Sequence, residues 1–279
     1  MKIPFIAWLT IREASRRRIL WVGFGLAIAF LILFAVGFDQ AFREILAHTN
    51  RPRKAQTIGE VASFFTIAGL YAVNFLVVML SVLASVDTIS GEIATHSIQS
   101  IVTKPICRWE VVLGKYLGFV LLIVTEVVLL GGGVMLITRA ISGYTVPQAG
   151  QGLGLMILEG LVLVSLTMLG GARFSTLTNG VLVFMLFGLA FLGGWVEQFG
   201  GFAGNESAIR VGIITSLILP TEALWKRAAY LMQPPLFQSF AATPFAVTSV
   251  PSPAMVYYTI AYAAVALMAA TRAFAGRDL

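Results

Sequence analysis

Six apolar runs, each close to the length needed to cross a bilayer, constrain this chain more than any other feature. They cover roughly residues 19–38, 61–86, 116–138, 153–172, 174–196 and 254–271. A hydrocarbon core about 30 Å thick calls for about 20 helical residues per span. In lipid every backbone polar group must find its partner inside the protein, which a helix achieves within one segment. The runs therefore predict an all-α, polytopic membrane protein with six transmembrane helices. Composition agrees: 58% of the residues are hydrophobic and only 11% are charged, well outside the soluble range. Residues 1–279 read as a single transmembrane domain.

Before the first run, residues 1–18 mix Ile3, Phe5, Ile6, Trp8, Leu9 and Ile11 with Arg12, Arg16, Arg17 and Arg18. Such a mixture predicts a basic amphipathic helix lying in the membrane interface. A signal peptide is the alternative, but the run that follows is longer than an h-region and no small-residue cleavage site comes after it. With the N-terminus inside, about 11 basic residues fall on the cytoplasmic side and about 8 outside. That bias places both termini in the cytoplasm, against the pull of Arg51, Arg53 and Lys54 in the first outer loop. Ser175, Thr176, Thr178 and Asn179 predict a tight polar turn between the fourth and fifth runs. The outer segment 197–253 carries an apolar stretch, 211–219, that reaches only about 15 Å as a helix. It is too short to cross and reads as re-entrant or interfacial, followed by irregular backbone at Pro234, Pro235, Pro244, Pro251 and Pro253.

The inner connection at 87–110, continuing to Lys115, is polar yet has helical spacing. Ile93, Ser97, Ile98 and Ile101 share one face, while Glu92, Thr95, His96 and Gln99 supply a polar one, and Pro105 ends or kinks the helix. From periodicity alone the segment is either an element that docks a partner or an ordinary interfacial loop whose charges set topology.

In this stretch Asp87 precedes a Gly91-Glu92 pair, Pro105 leads to Arg108, and Gly114-Lys115 opens the third span. The order resembles the type-2 permease family of ATP-binding-cassette (ABC) exporters, in its nitrous-oxide-maturation and multidrug-like branch. Two departures stand out: Ala94-Thr95 where the family often has Gly-Thr, and Ile106-Cys107 between Pro105 and Arg108. The resemblance implies that 87–110 holds a coupling helix docking on a cytosolic ATPase subunit. Asp87, Gly91, Glu92, Thr95, Lys104, Pro105, Arg108 and Lys115 are then the coupling residues. It further implies two ATPase copies carrying the ATP and magnesium, a second permease copy as homodimer or related heterodimer, and residence in a prokaryotic cytoplasmic (inner) membrane.

The sequence also excludes chemistry. No GxxxxGK[ST] motif occurs, and Leu113-Gly114-Lys115 lacks the upstream glycine, so ATP binding is not expected here. There is no HExxH and no GxSxG. One cysteine, Cys107, and two histidines are too few for the usual metal clusters. No catalytic residue, metal site or cofactor is expected in this chain. The basic residues flank apolar runs, where they face lipid headgroups rather than nucleic acid.

Glu126 and Glu159 lie inside apolar runs, where ionisable residues are rare and face cavities or partners. They either bind a cation or substrate in a pathway or hold neighbouring helices together; the second is the commoner use. Asn74 and Ser81, with Ser63 and Thr66, either line a conduit or serve as interhelical glue. Two rival functions remain open: a proton-coupled secondary transporter acting through Glu126 and Glu159, and a membrane scaffold without transport.

Overall fold

The computed structural model describes residues 2–16, 18–48, 54–91, 107–234 and 249–276. Among these the regular structure is entirely helical: α1 (Lys2–Arg16), α2 (Arg18–Ala47), α3 (Lys54–Ser85), α4 (Arg108–Ser142), α5 (Ala149–Gly171), α6 (Thr176–Ala203), α7 (Glu206–Ile218), α8 (Thr221–Met232) and α9 (Pro253–Ala275). Six of the described helices, α2 to α6 and α9, are long and apolar enough to cross a membrane. The chain is thus an all-α polytopic membrane protein, and each expected run corresponds to one helix, with 61–86, 153–172 and 174–196 overreaching their helices by one or two residues. The Glu92, Thr95, Lys104 and Pro105 positions lie outside the described residues.

The centre of the bundle is α5, which packs on α3, α4, α8 and α9. Val162, Leu163, Val164 and Met168 of α5 are fully buried against Val73, Val77 and Val78 of α3. The periphery is α2, whose Trp21, Leu26, Ile32 and Leu33 face outward. In water such a surface would be costly, but against lipid tails it needs no cover. Aromatic rings Phe30, Phe34, Phe38 and Phe42 repeat at four-residue spacing along α2; the first three stack in sequence and Phe42 is tilted against Phe38. Phe38 and Phe42 close a separate apolar cluster with Ala62 of α3.

The α1 helix is amphipathic, as its sequence predicts, and its inner face is seated on protein. Ile6, Ala7, Thr10 and Ala14 are buried, while Phe5, Trp8 and Leu9 are exposed and Arg12 lies over the Trp8 ring at 5.1 Å. Two glycines of α4 permit the contact. A Cβ at Gly114 would come within 2.6 Å of Ile6 Cβ, and one at Gly118 within 2.7 Å of Thr10 Cβ.

The third spanning helix, α4, begins at Arg108, eight residues before its apolar run. Cys107 is extended, and its N–H donates to Glu110 Oε2 at 2.9 Å, which fixes the first turn. With 35 residues the helix is about 52 Å long, so it projects beyond the hydrocarbon at its ends. Gly143, in the left-handed conformation, terminates it. The predicted reversal between α5 and α6 occurs at 172–175, with Ser175 capping α6 through Thr178 N–H at 3.4 Å.

Between α6 and α9 lie two short helices, α7 and α8, meeting at an angle of 108°. Packing of α7 along α6 places Gly193 against Thr215, and α8 brings Glu222 against Gly194. The last helix holds the elbow between them: Tyr258 Oη donates to Leu217 O at 2.6 Å and Tyr262 Oη to Ile218 O at 3.0 Å. These carbonyls lie in the final turn of α7, where the helix offers them no backbone partner. At its other end α9 is capped by Arg108, whose Nη1 donates to Ala275 O at 2.9 Å. A guanidinium at a helix C-terminus satisfies a free carbonyl and complements the helix dipole. Arg108 therefore shows that α1, the foot of α4 and the end of α9 share one end of the bundle.

Candidate functional site

At that end the connection leaving α3 is fastened before it passes out of the described residues. A turn at 86–89 leads into two helical residues, Ser90 and Gly91, with Gly91 N–H donating to Asp87 O at 2.8 Å. Three helices hold this root. From α4, the Lys115 ammonium donates to Thr88 O at 3.1 Å, and its side chain is only 4% exposed. From α6, Asn179 Nδ2 donates to Val86 O at 3.2 Å and also to Thr167 O of α5 at 2.8 Å. Thr176, again from α6, shares a hydroxyl pair with Ser90 at 2.8 Å. One residue upstream, Ser85 closes on Thr167 of α5 at 2.6 Å.

Each bond satisfies a backbone or hydroxyl group that a bilayer-facing surface would leave unpaired. Hydrogen bonds to a charged donor such as Lys115 are worth about 1.5–3 kcal/mol, and neutral ones about 0.5–1.5 kcal/mol. Together they tie the root to α4, α5 and α6 as one unit. Asp87, Gly91, Arg108 and Lys115 are therefore brought to one end of the bundle. Lys115 donates to Thr88 O and Arg108 to Ala275 O. The sequence reading treated Asn179 as part of a turn. The structure places it inside α6, with 1% exposure, as the bridge among α3, α5 and α6.

A second polar seam runs through the interior. Asn74 Nδ2 of α3 donates to Glu159 Oε1 of α5 at 3.3 Å. Thr66 Oγ1 donates to Thr138 Oγ1 at 3.0 Å, joining α3 to α4. Both are interhelical bonds of the glue type. Glu159 also lies within electrostatic reach of Glu222 on α8. Lys226, one turn further along α8, donates to Glu197 Oε2 at 2.8 Å and to Gly194 O at 3.1 Å. Glu197 and Lys226 side chains are 5% and 7% exposed. The pair joins α6 to α8 across 29 positions of sequence, a separation that leaves no mark in local spacing. Glu126 stands apart from this seam, in a cleft among α2, α3 and α4. Among the described residues no group of three His, Cys, Asp or Glu is placed to hold a metal ion.

No curated protein matches the chain. A family model described as ABC-2 family transporter protein matches residues 5–279. The match reaches the family, and the finer branch suggested by residues 87–115 lies beyond it. Spanning nearly the whole chain and all six membrane-crossing helices, it makes this protein a member of the ABC-2 transporter family, the multi-pass permease component that associates with an ATP-binding-cassette ATPase.

Proposed function

We propose that this permease exports a substrate across a prokaryotic cytoplasmic (inner) membrane, driven by two cytosolic ATPase subunits that bind ATP and magnesium. It works beside a second permease copy, as homodimer or related heterodimer, with both termini in the cytoplasm. Segment 87–110 is the coupling element. Glu92, Thr95, Lys104 and Pro105 form its docking part with Asp87 and Gly91 at its root, and Lys115 and Arg108 brace it from behind. The nitrous-oxide-maturation and multidrug-like branch is the closest fit to the motif order.

The observation that carries this reading is the fastening of 86–91 to α4, α5 and α6. A docking element relays motion only if its root is stiff; a push on a loosely held loop is absorbed in the loop. Charged residues on such an element fix register at a wet interface.

The test is co-purification of the full-length permease in nanodiscs with its cognate ATPase, followed by ATP hydrolysis for wild type and Glu92→Arg. The expected result is a stable complex whose hydrolysis is uncoupled, or whose ATPase is released, by the charge reversal. A wild-type permease that binds no ATPase, or a Glu92→Arg protein indistinguishable from wild type, removes this segment as the coupling element.

A further inference from the structure

Glu126 sits midway along α4, about 27 Å from its first residue. That is the centre of a helix far longer than the bilayer core. Its side chain is 93% buried, with 7% relative exposure, and among the described residues it makes no hydrogen bond or ion pair. Glu159, a buried carboxylate of α5, has Asn74 as its partner. Glu126 instead lines a cleft of about 120 Å³ walled by Leu26 of α2, Leu76, Met79 and Leu80 of α3 and Leu130 of α4. The cleft opens beside α2, whose neighbouring Val22 and Leu26 are more than half exposed.

We infer that this cleft is a binding site for a membrane-partitioned lipophilic cation, an alkylammonium amphiphile, with the Glu126 carboxylate as counter-ion.

A carboxylate among leucines is costly unless a proton or a bound cation neutralises it, and ionisable residues in spans are retained where they face a cavity or partner. The lining names the partner's chemistry. Among the described residues Glu126 is the only oxygen-bearing side chain in the wall, whereas a bare metal cation demands several oxygen ligands. A quaternary or primary ammonium needs one counter-charge and apolar surface for its methylenes. Ligand sites of this kind are mostly apolar with few placed polar groups. At mid-helix depth the ligand arrives from the lipid, its alkyl chain lying along the exposed side of α2.

Radiolabelled dodecyltrimethylammonium binding to the purified full-length chain in nanodiscs tests the site. No ATPase is present, so failure here leaves the permease reading untouched. The expected result is saturable binding of one probe per chain, weakened at least about 30-fold by Glu126→Gln and retained in Glu159→Gln. Leu26→Trp, which fills the mouth from the lipid side, also abolishes it and keeps the proposal testable if Glu126→Gln is poorly folded. Neutral dodecanol should not displace the probe. Equal binding by wild type and Glu126→Gln, displacement by dodecanol, or absence of saturable binding overturns the inference. So does crosslinking of two copies through Leu26→Cys in a Cys107→Ser background, which would give the cleft to a second chain.

Discussion

Lys115 and Thr88 are 27 positions apart in sequence and joined by one charged hydrogen bond of 3.1 Å in the interior. The contact links the first turns of α4 to the root of the connection that precedes it. Replacing Lys115 by Met keeps the bulk and removes the donor. The expected local cost is about 1.5–3 kcal/mol, read by hydrogen exchange as at least about tenfold faster exchange of the amides at 88 and 91. Unchanged protection there would show that the bond does not hold the root.

Asn179 donates to two carbonyls at once. Asn179→Ala should cost about 1–3 kcal/mol in detergent unfolding by removing both interhelical hydrogen bonds of its amide. Asn179→Asp should be worse than Ala, because it turns an acceptor toward two acceptors. The order of the two variants is the measurement; a milder Asp would contradict the assigned geometry.

The buried Glu197–Lys226 pair should behave as a unit. Either single replacement, Glu197→Gln or Lys226→Met, should destabilise by about 3–5 kcal/mol, since it strands a buried charge. The double variant should lose clearly less than the two added. Additive losses would mean that each residue has its main partner elsewhere.

Gly118 lets Thr10 approach α4. Gly118→Leu should lift α1 from its seat at a cost of about 1–3 kcal/mol. In a Cys107→Ser background, Thr10→Cys should be protected from a thiol reagent when Gly118 is intact and labelled readily when it is Leu. Protection in both would place α1 elsewhere.

The spans were legible because lipid imposes length and apolarity on every crossing helix, so six runs reported six helices with boundary errors of a few residues. Helix ends were less legible: α4 starts at Arg108 because Glu110 closes its first turn, a local bond that hydropathy does not register. Asn74 and Glu159 were singled out separately for being polar within apolar runs, and the structure joins them. The burial of Asn179 and of Lys226 was not legible, for a shared reason. Each lies beside polar neighbours, and a polar residue in polar company carries no sequence mark of burial. Nor did the sequence foretell that Lys115 would turn inward, since its partner is a backbone oxygen that any residue could supply.

The last helix is pinned at both extremities. Arg108 clasps its final carbonyl region, and Tyr258 and Tyr262, near its beginning, grip the end of α7. A rigid rod so held is a tie-bar. Shortening or tilting at the foot of α4 has little slack to disappear into and must surface as movement of the elbow between α7 and α8, on the opposite side of the bilayer. The two ends of the bundle are in this way tied to one another through three side chains.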